Sequence, residues 1–259
     1  MQFFKRIEYQ DANSAAQALK DAITENKAIH LANFTFDVEP HQFYEKISEE
    51  IGIVHNANED KETGALTGER WIDITFDPEV QNRYRSSKTK QPLHTDDSYI
   101  PLAGTITFFY CASKADIGGA TTFIDADLLV ECMEMDEEFE LLKDLQRILI
   151  KHEKGGSFKT LPVLRKDETG WLLNWNWHCV SEDNTQEAKD LARRFHDFLE
   201  NRIHNAGIVS PVILKPGEAV FFHDERVLHG RYAFFTQQKG GRKLIKGTIT
   251  LPEKELSNP

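Results

Sequence analysis

A chain of 259 residues, 40% of them hydrophobic, can bury a core within one domain. Its 42 acidic against 31 basic residues give a formal net charge of -11, which repels a phosphate backbone and argues against nucleic acid as a partner. Cys111, Cys132 and Cys179 form no close-spaced pair, and neither a signal core nor an apolar run of membrane length is present; the expectation is a soluble cytoplasmic protein with no membrane partner.

In chain order, the apolar spacing over Ala15 to Ile23 and over Gln42 to Ile51 predicts two helices, with KAIHLANF between them as a short strand. From Asn56 to Lys90 the chain is polar and broken by Gly64, Gly68 and Pro78, the composition of a long functional loop. The character changes at Gly104. TITFFYC and ATTFIDA, on either side of the Gly118-Gly119 turn, have the β-branched and aromatic content of strands. Leu128 to Leu145 reads as a helix. Further strands are expected in SFKTLPVL, GWLLNWNW, EAVFFHDE, LHGRYAFF and LIKGTITL. An amphipathic helix over Gln186 to Asn205 interrupts them, with Leu191, Phe195, Phe198 and Leu199 on one face. Many short strands with a few helices give a mainly β fold with flanking helices, an antiparallel barrel or jelly roll. Fold class does not give function.

Chemistry concentrates in QPLHTDDSY, residues 91 to 99. In an extended chain, residues two apart project to one face, so His94 and Asp96 present an imidazole and a carboxylate side by side. A third ligand is available in KPGEAVFFHDERVLHGR, as His229 or as His223. Two imidazoles and one carboxylate on a single face leave open positions at an octahedral iron(II), where a keto acid and dioxygen bind; zinc accepts the same donors. A 2-oxoglutarate chelating that iron directs its distal carboxylate into the barrel, where it needs a cation. Arg242, 13 residues after His229, offers a bidentate guanidinium, and Thr121 a hydroxyl; Lys246 is the competing cation.

These segments together resemble the taurine dioxygenase-like oxygenases, a family that includes γ-butyrobetaine hydroxylase and clavaminate synthase branches. The resemblance rests on QPLHTDDSY, GGATTFIDA, KPGEAVFFHDERVLHGRYAF and GGRKLIKGTI, which occur in that order. It implies a double-stranded β-helix (jelly-roll) core in one domain over 1–259, with the motifs in 91–250. It also implies Fe(II) on His94, Asp96 and His229, and 2-oxoglutarate on Thr121 and Arg242. The activity implied is oxidation of a small molecule by O2 with decarboxylation of 2-oxoglutarate to succinate. The chain departs from the pattern at His223-Asp224, where the family often has Asp-Asn. Asp96 fills the position that a halogenating relative vacates for chloride, so hydroxylation is expected. Substrate contacts are expected from Arg70, Arg85, Asp97, Tyr99 and Trp175, with Arg83 nearby, and a small polar metabolite such as an amino acid or amine as substrate. Self-association is left open. The contrasting readings are a metal-binding jelly roll, or a zinc hydrolase with Glu225 as base.

Overall fold

TITFFYC forms the strand Thr105–Ser113 in the middle of a seven-stranded sheet, where both faces of the strand are covered. The computed structural model describes residues 1–252 apart from Phe36, Lys61, Glu62, Gly64, Gln81, Asn82, Ala103 and Gly104. Gly64, Gly104 and the last seven residues of the expected 1–259 domain therefore lie outside the described residues. The order across this sheet is Gln2–Glu8, Asn26–Ala32, Ala219–His223, Thr105–Ser113, Lys243–Thr250 and Ile53–Val54, and Ile72–Thr75 also pairs with Lys243–Thr250.

The pleat separates the two faces. Phe108, Tyr110 and Phe221 face outward, where α1 (Ala12–Ile23) and α2 (Pro40–Ile51) cover them with Leu19, Phe43, Tyr44 and Ile47. Phe109, Cys111, Val220 and Phe222 face inward, where they meet Phe123 and Val227 from a second sheet. That sheet has four strands in the order Ser210–Val212, Thr121–Asp125, Val227–Arg231 and Gln91–His94. Its outer face presents Leu93, Ile124 and Leu228 to a helical layer of α3 (Ala126–Met135), α4 (Phe139–Arg147) and α5 (Gln186–Phe198). The inner faces of the two sheets thus enclose an aromatic core, and helices shield both outer faces.

Two helices differ from expectation. Leu128 to Leu145 is broken between Met135 and Phe139, where Glu137 takes a left-handed φ of 57°. The helix from Gln186 is regular to Phe198 and continues as a wider π turn over Leu199–His204. The expected loop from Asn56 to Lys90 contains the strand Ile72–Thr75. Strands at Gln2–Glu8, Leu149–Lys154 and Ser210–Val212 are additional to those read from the sequence. No helix among the described residues is long and apolar enough to cross a membrane.

Candidate metal centre and cavity

His94 ends the strand Gln91–His94, and His229 lies mid-strand in Val227–Arg231. The two are register partners in an antiparallel pair, with ring centroids 4.2 Å apart. Their neighbours Leu93 and Leu228 point into the helical layer, so both imidazoles point inward. Gly230 permits this close pairing, because a Cβ there would stand 2.8 Å from the Gln91 carbonyl oxygen.

Asp96 reaches the same place by a turn and not by strand parity. The chain leaves the sheet after His94, and the Thr95 N–H donates to the Trp175 carbonyl at 2.7 Å. The Asp224 carboxylate then accepts the N–H groups of Asp96 and Asp97, at 2.8 and 2.9 Å. The Asp96 carboxylate is thereby directed inward, one oxygen 3.6 Å from His94 Nε2 and the other 3.6 Å from His229 Nε2. Ligand atoms of all three residues lie within 4.8 Å of one another.

The protonation states suit a cation. His94 Nδ1 lies 2.9 Å from the Pro92 carbonyl oxygen and donates to it, which turns Nε2 toward the cluster. Burial, reinforced by the neighbouring His94, pushes the His229 pKa down to about 3 and keeps that ring neutral. Burial alone raises the Asp96 pKa. The Lys246 ammonium at 2.9 Å is the main opposing cause, and the carboxyl is held well below its usual range. Two imidazole nitrogens and one carboxylate oxygen form a donor set that fits a divalent first-row metal ion such as iron(II). Gln91, not singled out in the sequence, brings its side-chain amide nitrogen to 3.1 Å from His94 Nε2.

His94 and Asp96 line a cavity of about 470 Å³, to which Tyr84, Arg85, Tyr99, Trp177 and Lys246 also contribute. Arg85 donates to the Glu59 carbonyl at 3.1 Å. The Tyr99 hydroxyl bonds Glu59, and the Lys154 ammonium stands 5.3 Å over its ring. Three expected contacts do not reach the cavity. Arg70 lies on the surface paired with Glu49 at 2.6 Å, and Asp97 is buried with Thr105 Oγ1 donating to it at 2.6 Å. Trp175 is wholly buried against Phe195 in the helical layer, and Trp177 supplies the aromatic wall instead.

Arg242 and Thr121 line one small cleft, together with Gly119, Cys111 and Leu244. The Arg242 guanidinium is 5% exposed, stands 5.2 Å over the Phe234 ring, and has no carboxylate in ion-pair range among the described residues. Burial lowers its pKa to about 10, which still leaves it cationic at neutral pH. Gly119, at φ 76°, keeps this cleft open, since a Cβ would sit 3.2 Å from Arg242 Nε. Arg242 and Lys246 share a face of the Lys243–Thr250 strand and its approach, roughly 13 Å apart along the backbone. Lys246 is engaged with Asp96, whereas Arg242 is engaged with no acid among the described residues. The ring of His223 turns away, its Nε2 donating to the Ile23 carbonyl at 2.7 Å. Glu225 is taken by Arg165 at 3.3 Å and Lys159 at 3.8 Å and does not line the cavity.

The sequence profile of the family described as taurine catabolism dioxygenase TauD, TfdA family matches residues 4–248. Among curated proteins, the chain is 26% identical over 246 residues to the mitochondrial trimethyllysine dioxygenase of Bos taurus, covering 88% of this chain and 55% of that protein. It is 28% identical over 219 residues to that of Homo sapiens, covering 78% and 48%. The chain thus spans about half the length of the curated relatives it matches. Among solved structures, asparagine oxygenase in complex with Fe(II), 2S,3S-3-hydroxyasparagine and succinate aligns with a TM-score of 0.70 at 14% identity, over 93% of this chain and 80% of that one. The non-haem iron oxygenase OrfP in complex with Fe and alpha-ketoglutaric acid aligns with a TM-score of 0.67 at 15% identity, over 97% and 94%. These likenesses identify the fold as the mainly β jelly roll with flanking helices.

Proposed function

The chain belongs to the TauD, TfdA dioxygenase family, and on that basis we propose that it is an Fe(II)/2-oxoglutarate-dependent hydroxylase of a small, carboxylate-bearing amino acid or amine. The observation that carries this reading is the pairing of two features. The cluster of His94, Asp96 and His229 presents His94 and Asp96 to a cavity, and a buried Arg242, with no carboxylate in ion-pair range among the described residues, stands beside Thr121 in a second cleft. When bound, iron(II), 2-oxoglutarate and dioxygen supply the oxidation: one oxygen atom goes to the substrate, and 2-oxoglutarate leaves as succinate and CO2. His94, Asp96 and His229 would hold the metal. Arg242 would supply the guanidinium for the distal carboxylate of 2-oxoglutarate, and Thr121 a hydroxyl. Asp96 fills the carboxylate position, which favours hydroxylation over halogenation.

The substrate class rests on the charge of the cavity. In a chain of net charge -11, its lining includes Arg83, Arg85, Lys154 and Lys246 against Glu59, Asp60 and Asp96. With Asp96 on the metal, the lining is net cationic and suits a substrate carboxylate, while the Lys154 ammonium occupies Glu59 and the Tyr99 ring. The trimethyllysine, asparagine and hydroxy-L-Arg in the names of its relatives agree with an amino acid. We take 1–259 as a single oxygenase domain, and the three free thiols favour a reducing, cytoplasmic setting. The acidic surface disfavours nucleic acid.

Anaerobic visible absorption of the purified protein tests the reading. A weak charge-transfer band that needs both iron(II) and 2-oxoglutarate supports it, and succinate release across a panel of amino acids then identifies the substrate. Tight zinc with no such band would move the protein to a metal-binding or hydrolytic role.

A further inference from the structure

Arg231 follows His229 by two residues on the same strand and is 3% exposed. Among the described residues, no carboxylate lies within ion-pair distance of it. Its guanidinium instead donates to three backbone carbonyls: Tyr84 at 3.0 Å, Ser87 at 3.0 Å and Thr89 at 2.8 Å. All three belong to the turn that leads into the metal strand. A buried guanidinium without a counter-ion is costly to desolvate, and carbonyl acceptors are the compensation on hand. One planar fork serves three carbonyls at once, which an ammonium on a flexible stem does not match.

The same turn builds a wall of the cavity. Tyr84 and Arg85 line it, and the Tyr84 ring meets the His178 ring from the opposite side at 4.8 Å between centroids. Apart from Arg231, the turn is held by backbone bonds (Ser86 and Ser87 N–H to the Arg83 carbonyl, Asp77 N–H to the Ser86 carbonyl, and Phe234 N–H to the Lys88 carbonyl), by Arg85 donating to the Glu59 carbonyl, by the Ser87–Thr89 hydroxyl pair and by the Lys90–Glu200 ion pair. We infer that Arg231 is a positioning residue that ties the His229 strand to the turn carrying Tyr84 and Arg85, and so sets the substrate side of the cavity relative to the metal ligands. That role in substrate handling rests on the oxygenase reading; the hold on the turn does not.

The test is hydrogen exchange by mass spectrometry on wild type and Arg231→Lys, alongside the anaerobic iron(II)/2-oxoglutarate band. The expected result is a tenfold or greater rise in exchange over residues 84–90, unchanged protection of the 227–231 strand, and a band that still forms. Exchange over 84–90 that stays at the wild-type rate overturns the proposal. A rise spread evenly over the barrel also overturns it, because that is what a general structural role gives. If Arg231→Lys does not fold, Arg231→Gln is read in the same way, since it removes the buried charge and its desolvation cost. Failure of both to fold makes Arg231 a requirement of the barrel itself and overturns the positioning role. A wild type without the band sinks the oxygenase reading, while the exchange result still decides what Arg231 holds.

Discussion

Asp224 accepts the backbone N–H groups of Asp96 and Asp97 with its two carboxylate oxygens, at 2.8 and 2.9 Å. Asp96 is placed in the His94–Asp96–His229 cluster by a turn, so this pair of bonds fixes a proposed ligand that no strand fixes. Burial, with Asp97 and Asp96 close by, raises the Asp224 pKa well above the usual carboxylate range. An amide oxygen is therefore a fair replacement for part of its role. Asp224→Ala is expected to weaken metal affinity by roughly 10- to 100-fold, the usual cost of removing a group that orients a ligand. Asp224→Asn should retain most of it. Cobalt(II) titration with visible detection checks both, and wild-type affinity in the alanine variant would remove Asp224 from the account.

Arg242 and Lys246 share a strand face but not a role. The ammonium of Lys246 stands 2.9 Å from Asp96, whereas the guanidinium of Arg242 is buried beside Thr121 with no acid on it. Arg242→Met is expected to raise the 2-oxoglutarate concentration needed for the absorption band by at least about tenfold, since a charge-assisted bond is worth roughly 1.5–3 kcal/mol. Metal affinity should hold. Lys246→Met should instead tighten divalent-cation binding, because it removes a positive charge from the metal ligand. A 2-oxoglutarate requirement that moves only in the Lys246 variant would exchange the two assignments.

The parts of this site that lie within short segments were legible in the sequence. His94 and Asp96 sit in one nine-residue stretch, and Arg242 follows His229 at the approach to the Lys243–Thr250 strand. The contacts that complete it were not, because they join residues far apart in the chain: Asp224 meets Asp96 across 128 positions. Alternation in GWLLNWNW gives a two-residue period but not which face is inside, so Trp175 was expected at the cavity and is found in the helical core. The break between α3 and α4 carries neither Gly nor Pro; Glu137 adopts its left-handed φ without a sequence signal. Gln2–Glu8 alternates poorly, with Lys5 and Arg6 at its centre, since it is an edge strand that water reaches.

Acid should destabilise the metal-free protein before its carboxylates titrate. His152 is fully buried, with its Nδ1 3.2 Å from the Asn174 amide nitrogen, and burial pushes its pKa down to about 4. Burial likewise lowers His223 to about 4. In the unfolded chain both titrate near about 6.5, so between pH 6.5 and 4 the unfolded state binds more protons and stability falls as pH falls. The stabilisation from His152 is complete above that window and amounts to roughly 3 kcal/mol. Urea midpoints should therefore drop between pH 7.5 and pH 5, and His152→Gln should shrink the drop. A variant with the wild-type pH dependence would show that His152 does not drive it.

The choice between two histidines six positions apart gives the sharpest comparison. His229 faces His94 across the strand pair and puts Nε2 3.6 Å from Asp96, whereas His223 is bonded to the Ile23 carbonyl beside α1. His229→Ala removes one of the three groups proposed to bind the metal and should cost about a hundredfold or more in metal affinity, beyond the loss from any orienting group. His223→Ala leaves a buried carbonyl without its donor and should cost about 1–3 kcal/mol in stability. Its metal affinity should remain within about threefold of wild type, because no ligand or orienting bond is touched. Cobalt(II) titration and thermal melting on both variants separate the cases: one should bind poorly, and the other should bind well but melt early. The opposite pattern would require His223 to leave Ile23 and turn into the barrel, and the ligand set would then be His94, Asp96 and His223.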